Sequence, residues 1–157
     1  MSLVTRRSAL LGAVGLCISA GRVALASGPI TKAIAWQPSL KAAHKVALEQ
    51  NKPMLLVFGA DWCSWCKKLE KTTLSNPQLA KYINSSFVSV HIDFDEEPKI
   101  VQILDVKSLP CTIVLSPDAD LLGRYDEFME PSPMYKKLVA ARKLHLDTQQ
   151  QTAGVSR

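Results

Sequence analysis

Two hydrophobic periods alternate along this chain, and their order predicts its elements. Leu40, Ala43, Ala47 and Leu48 recur at helical spacing behind Ser39, a suitable N-cap, so a helix is expected from Leu40 to Asn51, with Pro53 as its stop. Met54–Phe58 is an unbroken apolar run, the pattern of a central strand buried on both faces. Cys66, Leu69 and Thr73 return to helical spacing, which predicts a helix from Cys63 to about Thr73. Asn76-Pro77 reads as an N-cap and first helical residue, opening a short helix through Leu79, Tyr82 and Ile83. Phe87–Asp93 alternates and is β-branched, hence a strand. Asp95-Glu96-Glu97 reads as a solvated loop feeding a helix over Pro98–Leu104. Thr112–Leu115 and Leu121–Tyr125 read as a hairpin joined by the turn residues 116–120. Ser132-Pro133 opens a last helix to about Leu146.

After the first helix the order is β-α-α-β-α-β-β-α. Parallel strands linked by helices, then an antiparallel hairpin and a closing helix, give an α/β fold: a central mixed β-sheet flanked by helices on both faces. The domain is expected to span residues 39–146. An extended lead-in over 27–38 precedes it, and a polar, disordered tail over 147–157 follows. No internal repeat is visible.

The first 26 residues read as an export signal. Arg6-Arg7 form a positive start, Ala9–Gly21 is uncharged and mostly apolar, and Ala24-Leu25-Ala26 is a cleavage pattern. At 13 residues the apolar stretch is short of the roughly 20 that span a membrane. Thr5–Leu11 resembles a twin-arginine signal, with an ordinary secretory signal as the alternative. Leu16-Cys17 hints at a lipoprotein box, and an uncleaved anchor is the remaining variant. A periplasmic protein cleaved near Ala26 is the expectation.

Cleavage changes how composition reads. The formal net charge is +5, but the signal holds three of the 19 basic residues and no acid, which leaves 16 against 14 acidic residues. With no Lys/Arg stripe interleaved with aromatics, nucleic-acid binding has little support. A hydrophobic content of 47% and a charged content of 21% fit an ordinary globular domain. Three cysteines remain after cleavage: Cys63, Cys66 and Cys111. So few do not make a disulfide scaffold, so the core must hold the fold and the thiols are free for chemistry.

That chemistry centres on Trp62-Cys63-Ser64-Trp65-Cys66. Two thiols at this spacing reach each other within one helical turn and can make and break one small disulfide. Cys63 would stand at the N-terminus of its helix, where unpaired N–H groups favour the reactive thiolate.

Ala60–Glu70, Leu74–Gln78 and Val106–Pro110 together resemble the thioredoxin superfamily over roughly Lys41–Leu146. The likeness extends to the C-terminal periplasmic domain of the thiol:disulfide interchange reductase. It implies a thiol–disulfide oxidoreductase in which Cys63 attacks, Cys66 resolves, and no cofactor is needed beyond their disulfide. It also implies a cis Leu109-Pro110 bond and a substrate-binding rim of Trp62, Leu109 and Pro110. Disulfide-containing periplasmic proteins are the implied partners, a membrane thiol carrier the implied electron donor, and a monomer the default. Ser64-Trp65 matches neither the Gly-Pro of cytosolic thioredoxin nor the Pro-His of strong oxidants, and a reductive or interchange role is favoured over a thiol oxidant. Two positions depart from the family: Val57 stands where a buried Asp often helps move the resolving proton, with Asp61 and Glu70 as weak substitutes, and Cys111 stands where Thr is usual.

Several alternatives stay open on sequence. Cys111 is either a buried packing residue or a third redox thiol. Cys63, Cys66 and Cys111 could bind copper or zinc, although His44, His91 and His145 read as ordinary surface or half-buried histidines, and no metal is assigned. The Cys63–Cys66 disulfide could be merely structural, though so small a loop is a poor staple. A non-catalytic binding module on the same fold is the third class. Trp65 either presents an apolar contact or folds back onto its helix. Lys67 and Lys68 read as solvated.

Overall fold

A computed structural model describes residues 33–155; the expected export signal, Cys17 and the start of the lead-in lie outside them. Five strands and five α-helices follow in the order β1 (Trp36–Gln37), α1 (Leu40–Gln50), β2 (Met54–Gly59), α2 (Ser64–Lys68), α3 (Pro77–Ser86), β3 (Val88–Asp93), α4 (Pro98–Ile103), β4 (Cys111–Leu115), β5 (Leu121–Tyr125) and α5 (Pro131–Val155). A π-helical segment, Leu69–Leu74, continues directly from α2. The sheet order is β1-β3-β2-β4-β5, with β3 parallel to both β1 and β2, and β4 antiparallel to both β2 and β5. This is the mixed sheet that the pattern predicts.

Every residue of β2 is buried, because both faces of the sheet are covered. Met54, Leu56 and Phe58 point into a core completed by Ala43 and Ala47 of α1, by Val90 and Ile92, and by Ile113 and Leu115, with α4 packed against it. Leu55 and Val57 point the other way, into a core filled by Leu69 and Leu74, by Leu79 and Ile83 of α3, and by Met134, Leu138 and Ala141 of α5. Side-chain alternation along one strand thus divides the helices: α1 and α4 lie on one face, and the π-helical segment, α3 and α5 on the other.

The helix starts follow their sequence signals. Ser39 Oγ accepts from Ala42 N–H, and Asn76 Oδ1 accepts from Gln78 and Leu79 N–H, each at 3.1 Å, ahead of Pro77. Four features differ from the sequence expectation. Trp36–Gln37 of the lead-in is a strand paired with Ser89 and Val90; two residues are too few to show a period. Leu48 is 52% exposed, so the buried stripe of α1 is narrower than its apolar residues suggest. The helix after Cys63 widens into a π turn, closed by a bond from Ser75 N–H to Glu70 O, with Thr72 and Ser75 hydroxyls bonded back to carbonyls four residues earlier. Finally, residues 147–155 are helical, not disordered. Gln149 exchanges two amide hydrogen bonds with Asn51, the left-handed C-cap of α1, and this pairing holds α5 beyond Leu146.

Leu138 is fully buried between α5 and the sheet, whereas Leu144 on the same helix is largely exposed. Leu138→Ala should therefore lower unfolding free energy by about 2–5 kcal/mol, and Leu144→Ala by no more than about 0.5 kcal/mol, measured by urea denaturation monitored by circular dichroism.

Candidate active site

β2 ends at Gly59, and the chain turns through Ala60 and Asp61 into α2. Cys63 is the N-cap of α2: its backbone is extended, and its Sγ accepts from the backbone N–H of Cys66 at 3.1 Å. Cys63 and Cys66 are joined in a disulfide. They are 6% and 3% exposed, and with Ala60 they form a small apolar cluster that Phe94 and Leu109 complete. The Leu109-Pro110 bond is cis, Pro110 is buried, and Leu109 is half-buried against the cysteine pair. The structure thus brings together Cys63, Cys66, Leu109 and Pro110 from two segments far apart in sequence.

Two tryptophans rim this cluster. Trp62 is 67% exposed, yet its orientation is set: its indole N–H donates to the Asp95 carboxylate at 2.8 Å, and it meets Phe94 edge-on. Trp65 is 54% exposed and leans on Phe128, with the Lys68 ammonium 4.7 Å from one ring centroid and 4.5 Å from the other. It therefore both presents an apolar surface and packs back. Sequence reasoning passed over Asp95, Phe94 and Phe128. The acidic run had read as solvated, but Asp93 Oδ1 gathers the N–H groups of Asp95 and Glu96 into a turn that aims Asp95 at Trp62.

The remaining candidates separate. Cys111 is fully buried at the start of β4, in register with Phe58 and inside the core under α1 and α4, not in the Cys63–Cys66 cluster. Burial first, then the adjacent Asp126 carboxylate, pushes its thiol up from 9.0 to about 12, and Arg124 only partly opposes this. Asp126 is itself held below the usual carboxylate range, chiefly by Arg124, whose guanidinium also donates to the carbonyls of Leu104 and Asp105. Asp61 is exposed. Val57 is buried in the core, and His91 stands opposite it across β3, with Nε2 3.2 Å from the Glu70 carboxylate. Among the described residues, no group of three or more His, Cys, Asp or Glu is arranged to hold a metal ion, and no helix is long and apolar enough to cross a membrane.

A dithiol motif capping the helix after a central parallel strand, beside a cis-proline loop at the start of an antiparallel strand, defines the thioredoxin-like class. The chain belongs to the Thioredox_DsbH family, described as a protein of unknown function, DUF255, whose model matches residues 27–120. It is 33% identical over 93 residues to an uncharacterized protein of Caenorhabditis elegans, covering 54% of this chain and 13% of that one. It is 27% identical over 97 residues to the thiol:disulfide interchange protein DsbD of Photorhabdus laumondii, covering 53% of this chain and 17% of that protein. The chain therefore spans less than a fifth of the length of either of these two relatives. Among solved structures, a DsbH oxidoreductase superposes with a TM-score of 0.64 at 21% identity over 71% of this chain and 86% of that one, a likeness of fold.

The surroundings of Cys111 yield a prediction with a definite sign. An unfolded thiol ionises near 9.0 and the folded one near 12, so between these values the unfolded state binds fewer protons and stability falls as pH rises. Cys111→Ala should flatten the decline of stability with pH across that window. In oxidised, native Cys17→Ser protein, iodoacetamide should leave Cys111 unlabelled near pH 8 and label it after unfolding. Rapid labelling of the native state would mark it instead as an accessible third thiol.

Proposed function

We propose that this chain is an exported thiol–disulfide oxidoreductase that reduces or exchanges disulfides in periplasmic proteins through the Cys63/Cys66 pair. One observation carries the reading: a disulfide whose first sulfur caps a helix and whose flank is the loop Leu109-Pro110. In the reduced protein, the N–H group that meets Cys63 Sγ and the positive end of the helix favour a thiolate there. That thiolate attacks a substrate disulfide and expels one substrate thiolate, leaving a mixed disulfide on Cys63. Cys66 then attacks Cys63 Sγ, closes the Cys63–Cys66 bond and releases the second substrate thiol. Trp62, Leu109 and Pro110 form the rim on which a substrate segment rests, with Trp65 extending its apolar surface.

The Photorhabdus relative, a thiol:disulfide interchange protein, supports the same reaction class. A periplasmic site of action rests on the signal-like residues 1–26, and a membrane thiol carrier is the electron donor that such a location requires. Cys111, buried and protonated, serves packing in this reading.

Cys63→Ser should abolish disulfide reduction in an insulin-precipitation assay, and Cys66→Ser should accumulate a mixed disulfide resolvable by mass. A Lys81→Ala variant on the exposed face of α3 should behave as the parent. Activity surviving Cys63→Ser would defeat the proposal. The reduction potential, measured in dithiothreitol buffers, is expected toward the thioredoxin value of about −270 mV; a value near −120 mV would make the protein an oxidant of thiols instead.

A further inference from the structure

The resolving step has a requirement that the cysteine pair cannot meet alone. Cys66 must lose its proton before it attacks, and at 3% exposure it is shielded from bulk water. The strand that leads into the site offers no acid there, because Val57 is buried among apolar side chains. The sheet register, however, sets His91 directly opposite Val57, so the imidazole rises on the same face of the sheet.

Gly59 makes room for it. A Cβ at Gly59 would lie 3.1 Å from His91 Nε2 and 3.6 Å from Cys66 Cβ, so the imidazole and Cys66 border one small volume that exists because residue 59 has no side chain. The ring is fixed from two further sides. Glu70, one helical turn beyond Cys66, holds Nε2 at 3.2 Å, and Trp36 of β1 meets the ring edge-on at 5.9 Å. Behind the pair, an open groove of about 530 Å³, lined by Trp36, Glu70, Leu74, Ser75 and His91, leads to solvent.

We propose that the His91–Glu70 pair accepts the Cys66 proton during resolution and passes it to solvent through this groove. The inference rests on the oxidoreductase reading above. The groups facing His91 are few: Glu70 from the π-helical segment, uncharged Val57 and Gly59 from β2, and Trp36 from β1, with Cys66 of α2 across the space left at Gly59. Asp93, two residues along β3, has Oδ1 engaged by the N–H groups of Asp95 and Glu96. The step balances. His91 Nε2 passes its proton to the Glu70 carboxylate as it takes the Cys66 S–H proton, and the Cys66 thiolate forms the bond to Cys63 Sγ. The Cys63–substrate bond breaks, and its electron pair leaves on the substrate thiolate. That thiolate takes a proton from water, and the pair returns its own to solvent. The substrate disulfide is the oxidant.

The test uses reduced full-length chain carrying Cys17→Ser, mixed with dithiobis-nitrobenzoate in stopped flow. The first thionitrobenzoate release reports attack by Cys63, and the second reports resolution by Cys66. His91→Gln should slow the second phase at least about tenfold near pH 7, while the first phase stays within about twofold, and added imidazole should recover part of the lost rate. Glu70→Gln, which keeps the imidazole but removes its anionic partner, should also slow the second phase and spare the first. If His91→Gln fails to fold, Glu70→Gln decides: a slowed second phase beside an unchanged first supports the pair, and an unchanged second phase overturns it. Two releases in the parent with an unchanged second phase in the variants would overturn the pair alone. No release from the parent would overturn the oxidoreductase reading and the pair with it.

Discussion

Strand β2 is hydrogen-bonded on both edges and buried on both faces, and the rest of the molecule is arranged by that constraint. Its alternate side chains feed two separate cores, so the helices must divide between the faces. At its carboxyl end the chain turns into α2, and the loop before β4 arrives alongside. A buried two-sided strand cannot slide by one residue without exchanging its two sets of side chains. The position of Cys63 relative to Leu109 and His91 is thus fixed by core packing.

The site shows how a fold can hold reactive groups with few polar contacts. The cysteine pair is enclosed by Ala60, Phe94 and Leu109, which bring no charge. Charge is kept at the margins: Asp95 orients Trp62, Lys68 covers Trp65 and Phe128, and Glu70 engages His91. The loop that ends in the cis-proline is tied down from its outer side by Arg124, which spans from β5 to the carbonyls of Leu104 and Asp105. Asp105 adopts a left-handed backbone, and the arginine donates to its carbonyl directly.

Much of this was legible in the sequence where a signal is local. The apolar run of β2, the Asn76-Pro77 cap, the hairpin turn and the CxxC each carry their information within a few residues. What stayed hidden depends on residues far apart. Two residues of β1 show no period, and only their pairing with β3 makes them a strand. Gln149 looks like part of a polar tail until Asn51 is placed beside it. His91 reads as an ordinary strand histidine, because its interest comes from Gly59 and Glu70, which are 32 and 21 positions away along the chain. Leu48 misled in the opposite direction: it fits the helical stripe of α1, but only Ala43 and Ala47 of that helix are buried.

Helix α5 has a consequence for synthesis. Its Met134, Leu138 and Ala141 are the last residues to join the core shared with Leu55, Val57 and Val114, and no earlier segment supplies that surface. A nascent chain lacking α5 presents a sheet with one face covered only in part. Stable folding therefore waits until α5 has emerged, and chaperones that hold emerging apolar surface have one specific face of this molecule to cover until then.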